Sequence, residues 1–327
     1  MNSYSRAVIG KQAAELGFMR DSFEKVCRLA DLLSFFERDP ALSLYLALKG
    51  GTAINMTIFD MPRLSVDIDL DFAENLALEE TAAKRETIRD TIKRYMSMNG
   101  YILTSKSKTY HTLDSDVYSY ITSAGGRDNI KIEINYSLRS HILPLTKRPI
   151  KTLGAIAPAA VLSLDPVEIF ASKIVALLTR SAARDLYDVH NMVHLELFDQ
   201  TQAETLRKCV VFYSAIVTEN PPNTFDFEKM NTLSNREIKM KLIPMLRKKE
   251  PFELDTVRKR VREHLTKLMT LQDCEKEFLT AFRNGRYLPE LLYDGETLER
   301  ARKHPMAVWK MINATQTSLP ASPKTRA

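Results

Sequence analysis

The stretch SVDIDLDF (65–72) decides the architecture. Val66, Ile68, Leu70 and Phe72 alternate with Ser65, Asp67, Asp69 and Asp71. Side chains on a strand point to opposite faces in turn, so this pattern predicts a strand with one apolar and one acidic face. Asp67 and Asp69 then sit about 6–7 Å apart on one face, within common reach of one or two Mg²⁺ ions. Three acids on the other side of a buried strand are costly unless cations or water take up their charge. Taken alone, a solvated acidic face explains the pattern equally well.

The residues upstream shift that balance. Gly50-Gly51 stand before a short expected helix over 52–59, which Asp60-Met61-Pro62 breaks. Glycines at a helix start let backbone N–H groups approach phosphate oxygens closely. A phosphate cradle beside paired carboxylates is what metal-assisted phosphoryl or nucleotidyl transfer requires. Further upstream, Met19, Phe23, Val26, Ala30 and Leu33 mark an amphipathic helix, and LSLYLAL (42–48) is a short apolar run leading into the glycines.

Downstream, residues 78–98 read as a helix, and 101–107 and 115–123 as strands. AGGRDN (124–129) suits a hairpin turn into NIKIEINYS (129–137), which again alternates and offers Glu133 as a third carboxylate or as an ordinary exposed strand residue. Residues 142–160 read as a connector. Asp165-Pro166-Val167-Glu168 has the form of a helix start, with Asp as cap, Pro first and Glu at the third position. That helix is expected to reach about Arg180, and another to run from near Arg184 to about Leu197. The remainder reads as helical, and the polar end NATQTSLPASPKTRA as disordered. The expected organisation is α+β: an α/β core over 1–145, a helical C-terminal domain over 146–312 and a tail over 313–327.

Bulk properties narrow the class. The 327 residues carry a formal net charge of +6, which permits an anionic partner without requiring one. Cys27, Cys209 and Cys274 are odd in number and lack metal-site spacing, which fits a reducing compartment. The N-terminal stretch shows no apolar secretory core, and no apolar run approaches the ~20 residues of a membrane span, so a cytoplasmic protein without membrane contact is expected.

KGGTAINMTIFDMPRLSVDIDLDF (49–72) resembles the first motif of the AbiEii toxins, members of the DNA polymerase β-type nucleotidyltransferase superfamily that act in type IV toxin–antitoxin and abortive-infection systems. The matching positions are Gly50, Gly51, Thr52, Arg63, Ser65, Asp67 and Asp69. DPVEIFASKIVALLTRSAARDLYDVHNM (165–192) resembles the family's lysine helix and its Arg-Asp-x-Tyr-Asp segment, placing Lys173, Arg180, Arg184, Asp185 and Asp188. FLTAFRNGRYLPELLY (278–293) and HPMAVWK (304–310) are similar to its helical end. The glycine-to-aspartate gap is longer than in many nucleotidyltransferases, and Glu133 is the best match by position for a third metal ligand.

The resemblance implies a polymerase β-like nucleotidyltransferase fold, a mixed or antiparallel sheet with helices, followed by helices alone. It implies transfer of a nucleotide from an NTP to an RNA acceptor, tRNA being the family's choice, with Mg²⁺ (or Mn²⁺) as cofactor. A cognate antitoxin would restrain the toxin without needing to bind it tightly. Asp67 and Asp69 would hold the metal, with Glu133 as third ligand. Gly50, Gly51, Thr52 and Ser65 would receive phosphate oxygens, and Arg63, Arg180 and Arg184 would clamp phosphates or pair with nearby acids. Lys173 lies in an apolar helix and needs an anionic partner, either a triphosphate or an internal carboxylate. Asp185 fits a helix cap and Asp188 an active-site role, as base or as orienter of Lys173.

Two further features read as bland. His190 and His194 have metal-ligand spacing without a third ligand. Residues 234–264 carry ten Lys and Arg against five Asp and Glu, a stretch able to track RNA but equally a solvated helical face. The competing functional class is a module that binds GTP or another nucleotide to sense or sequester it without transfer.

Overall fold

The computed structural model describes residues 4–151, 154, 156–157, 159–248 and 250–317. Its helices are α1 (Arg6–Leu16), α2 (Arg20–Arg38), α3 (Pro40–Tyr45), α4 (Gly50–Ala53), α5 (Leu78–Met98), α6 (Pro166–Thr179), α7 (Ala183–His194), α8 (Gln200–Val217), α9 (Asn235–Lys241), α10 (Leu254–Leu268), α11 (Asp273–Arg283), α12 (Gly295–Arg302) and α13 (Pro305–Thr317). The strands are β1 (Leu46–Lys49), β2 (Asp67–Phe72), β3 (Ile102–Leu103), β4 (Lys108–Thr109), β5 (Leu113–Ile121), β6 (Arg127–Asn135), β7 (Thr146–Pro149) and β8 (Ala160–Ser163).

One mixed sheet runs in the order β3-β5-β6-β2-β1-β8-β7, with β4 also pairing β5. At its centre β2 is antiparallel to β1 and parallel to β6. The acidic strand is therefore flanked on both sides, and the alternation predicted from 65–72 holds: Ile68, Leu70 and Phe72 are buried. Ile130, Ile132 and Ile134 of β6 are buried likewise. The β5–β6 hairpin turns on Gly125, whose φ of 83° suits a residue without a Cβ.

The stretch 142–160, expected as a connector, contributes β7, which pairs antiparallel with β8. The last two strands thus come from beyond residue 145. We propose that the sheet-bearing part runs to Ser163 and the helical part begins at Pro166. The helix expected over 52–59 is α4 continued by a π-turn over Ile54–Ile58. The strand expected over 101–107 shrinks to β3, and α1 was not anticipated because its apolar positions form no strong stripe. The tail expected to be disordered from 313 is helical to Thr317, and its remainder lies outside the described residues.

Asp165 caps α6 as predicted, accepting a 2.8 Å bond from Val167 N. Glu168 does not close a capping box. Its fully buried carboxylate accepts the backbone N–H groups of Ile142 and Leu143, each at 2.9 Å, and the Tyr213 hydroxyl. It thereby fastens the segment after β6 to α6 and α8. Burial outweighs these donors and pushes the Glu168 carboxyl up to about 7.

Candidate active site

The sheet register gathers the acids. Asp69 stands opposite Glu133 across the parallel β2–β6 pair and opposite Lys49 across the antiparallel β1–β2 pair. Asp67 stands opposite Lys131. Cross-strand partners share a face, so Asp67, Asp69, Asp71, Lys49, Lys131 and Glu133 project to one side. Asp71 is 1% exposed and ion-paired to Lys49, which removes it as a free ligand. Glu133 meets Lys131 at 2.9 Å, and Asp67 faces Arg184 at 3.8 Å.

Asp69 has no such direct partner. Burial raises its carboxyl above the usual range; Lys49 and Lys173 oppose the rise, and the charges of Glu133 and Asp67 add to it. Gly50, at φ 68°, lies against it: a Cβ there would come within 2.5 Å of Asp69 Oδ2. Only glycine permits both this backbone conformation and this approach. Thr52 is fully buried and donates to Ser65 Oγ at 2.9 Å, while also reaching the Asp67 carbonyl. Thr52 therefore braces the start of the acidic strand.

Lys173 of α6 and the acids of α7 form a compact cluster behind this face. Lys173 Nζ donates to Asp185 Oδ1 at 2.7 Å and approaches Asp188 Oδ2 at 3.2 Å. Asp185 is also bound by Arg180 through Nε at 3.0 Å. Burial works against its charge, but Lys173 and Arg180 prevail and hold the carboxyl below its ordinary value. Asp188 is 1% exposed and accepts a two-pronged bond from Arg63, Nε at 2.7 Å and Nη2 at 2.6 Å. Burial opposes the charge of Arg63 and Asp188 sustains it, leaving the guanidinium above its ordinary value.

The structure thus splits the predicted residues. Gly50, Asp69, Lys173 and Arg180 line one cavity of about 380 Å³, together with Lys49 and His141. Asp67, Glu133 and Arg184 border the same acidic face. Arg63 is buried and bound to Asp188, so of its two expected roles it takes the ion pair with a nearby acid and not the phosphate clamp. Asp188 is buried and has both oxygens engaged by Arg63 and Lys173, the arrangement of an orienter of Lys173 more than of a base. Asp185 is not the side-chain cap of α7, whose first residue has no such bond.

Lys49 is the residue that sequence reading passed over. Its signal was present, since a lysine closing the apolar run LALK directly before two glycines is the cationic partner that the acids required. His190 and His194 stack at 5.7 Å, and His194 Nδ1 meets Arg260 at 3.2 Å. Among the described residues no group of three or more His, Cys, Asp or Glu is arranged to hold a metal ion. Much of the basic stretch serves the fold: Arg258 donates to the carbonyls of Met230 and Leu233, and Arg247 to that of Asp60. Among the described residues no helix is long and apolar enough to cross a membrane.

The donor chemistry of the acidic face suits a hard divalent cation. Its candidate ligand atoms are carboxylate oxygens, and a cation there would offset the burial that works against the charge of Asp69. Asp67 and Asp69 share this face, with Asp67 beside Arg184 and Glu133 held by Lys131.

Comparison with known proteins gives two findings. The sequence pattern described as nucleotidyl transferase AbiEii toxin, type IV TA system, matches residues 34–282. The fold matches that of MenT4, a nucleotidyltransferase toxin from Mycobacterium tuberculosis, with a TM-score of 0.64 at 16% identity. The match covers 93% of this chain and 99% of the other. No curated protein matches by sequence.

Proposed function

The chain belongs to the AbiEii family of nucleotidyltransferase toxins of type IV toxin–antitoxin systems, and from that premise we propose that it transfers a nucleotide from an NTP to an RNA acceptor, tRNA in the first instance, with Mg²⁺ held by Asp67 and Asp69. One observation carries the reading. Asp69, with Asp67 and Glu133 on the same sheet face, borders a cavity that Lys49, Lys173 and Arg180 also line. Acids to hold a cation and cations to hold a polyphosphate therefore meet across a space large enough for a nucleotide.

In the reaction the acceptor hydroxyl oxygen forms a bond to the α-phosphorus and gives up its proton to solvent, and the bond to the β-phosphate bridging oxygen breaks, releasing pyrophosphate. When bound, Mg²⁺ supplies neutralisation of the charge that builds on the leaving group. Lys173 and Arg180 add positive charge on the cavity side, and the Gly50-Gly51 backbone leaves room for phosphate oxygens beside Asp69. Arg184, partly exposed next to Asp67, is free to meet the acceptor's own phosphates. Glu133 serves as third ligand or stays with Lys131. Asp185 and Asp188 act on Lys173 and not on the substrate, because both are buried and every oxygen is engaged by an internal cation.

The test incubates the protein with each labelled NTP and total tRNA, with Mg²⁺ or with a chelator. Transfer of label to tRNA that depends on the cation and on Asp67 supports the reading. Label that is bound but never transferred moves the protein to the nucleotide-binding class. The family's type IV setting implies a cognate antitoxin, and co-expression with the neighbouring reading frame should relieve growth arrest. Equal arrest by wild type and Asp67→Ala would remove the catalytic explanation of toxicity.

A further inference from the structure

Five side chains alternate in charge from beneath the glycine turn to the cavity mouth: Arg63, Asp188, Lys173, Asp185 and Arg180. Arg63 is 1% exposed, whereas the Arg180 side chain at the other end is 67% exposed. Three cations face two carboxylates, so the chain carries one surplus positive charge. The surplus belongs at the cavity end, because Arg63 is bound to both oxygens of Asp188. Arg63 also underlies the glycine turn: a Cβ on Gly51 would lie 2.7 Å from its Nη2 and 3.1 Å from Ser65 Oγ.

Lys173 is the shared element. Its bond to Asp185 is 2.7 Å, but its approach to Asp188 is 3.2 Å, on the same Oδ2 that Arg63 holds at 2.6 Å. A carboxylate buried without its arginine would have Lys173 as its only counter-charge. In a low-dielectric interior that attraction is strong enough to draw the ammonium inward. We propose that Arg63 is a positioning residue: by saturating Asp188 it leaves Lys173 available to an anionic substrate in the cavity, and by packing under Gly51 it fixes the turn beside that substrate. This assignment rests on the nucleotide-transfer reading, and it moves Arg63 from phosphate ligand to internal counter-ion.

The experiment measures binding of MgATP, MgGTP, MgCTP and MgUTP separately by equilibrium dialysis, with thermal melting followed in parallel. It compares wild type, Arg63→Met, Arg63→Lys and the double variant Arg63→Met/Asp188→Asn. Arg63→Met cancels the surplus charge and should weaken the best-bound nucleotide by about tenfold or more. The double variant restores the balance of Lys173 and Arg180 over Asp185 and should recover most of that loss. Arg63→Lys keeps the counter-charge without the fork and should fall between wild type and Arg63→Met. A merely structural arginine predicts no recovery from a second buried change. A folded double variant that binds as poorly as Arg63→Met overturns the proposal, as does Arg63→Met binding like wild type. Should Arg63→Met fail to fold, the double variant decides: a folded double variant still bound about tenfold more weakly than wild type overturns it. Wild type binding none of the four nucleotides would instead sink the underlying reading.

Discussion

Two acid-rich regions lie side by side in this molecule and are treated in opposite ways. On β2 and β6, Asp67, Asp69 and Glu133 share a face on which burial works against the charge of Asp69, and Lys49 and Lys173 favour that charge without a direct bond to it. Behind them, Asp185 and Asp188 are equally acidic, but every oxygen is met by Lys173, Arg63 or Arg180 at hydrogen-bonding or ion-pair distance. A buried carboxylate without a direct counter-ion, as at Asp69, is costly to the fold and is the property a cation site needs. Compensated charge in the interior gives rigidity and leaves nothing to offer a ligand. The resemblance placed acids from both regions in one catalytic set; the structure leaves Asp67 and Asp69 on the sheet face and ties Asp185 and Asp188 to Lys173, Arg63 and Arg180.

The sharpest way to break this division is Asp69→Asn. It removes the one buried charge of that face without a direct counter-ion among the described residues, so transfer should drop by about 10²–10³-fold or more, with the melting temperature unchanged or raised. A large loss of stability with little loss of turnover would reverse the two regions' roles. Asp188→Asn probes the other side. It strands Arg63 as a buried cation, and urea unfolding should show a loss of about 3–5 kcal/mol. A stability change below about 1 kcal/mol would mean that the pair is not the support described.

Gly50→Ala sharpens the boundary between the regions. The substitution meets a left-handed backbone and the Asp69 carboxylate at once, costing about 1–3 kcal/mol in strain and displacing the acid. Activity should fall well beyond what that strain explains. Equal turnover in Gly50→Ala would show that Asp69 tolerates displacement.

The effect most remote from the two acidic regions concerns Glu168, which secures the wall of the cavity. Its folded-state carboxyl is raised to about 7 from 4.5. Between those values the folded chain holds a proton that the unfolded chain has released, so stability declines as pH rises through this window and levels off above it. The decline amounts to about 3 kcal/mol. Glu168→Gln should flatten that slope in denaturation curves taken from pH 4.5 to 8; an unaltered slope would assign it to another group.

Periodicity and punctuation were readable directly. The alternation in 65–72 and in 129–135 specified strands with one apolar face, because side-chain direction on a strand depends on nothing but parity. Asp165-Pro166 specified a helix start because the cap bonds to its own next turn. Met19 shows the limit: it continues the stripe of α2 by spacing, yet it lies at the cap and is 50% exposed. β7 was missed because four residues, Thr146–Pro149, with charged side chains carry no apolar alternation, and the strand exists only by pairing with β8.

What the sequence determined by itself was the local chemistry: an acidic strand behind two glycines, a lysine within an apolar helix, and arginines and aspartates close by. Which of those charges meet was decided only by tertiary structure. The parallel register sets Glu133 beside Asp69, and Arg63 reaches Asp188 across 125 residues of chain. Side-chain parity and capping are properties of neighbours in sequence. Burial and ion pairing depend on distances between remote segments, which no local pattern encodes.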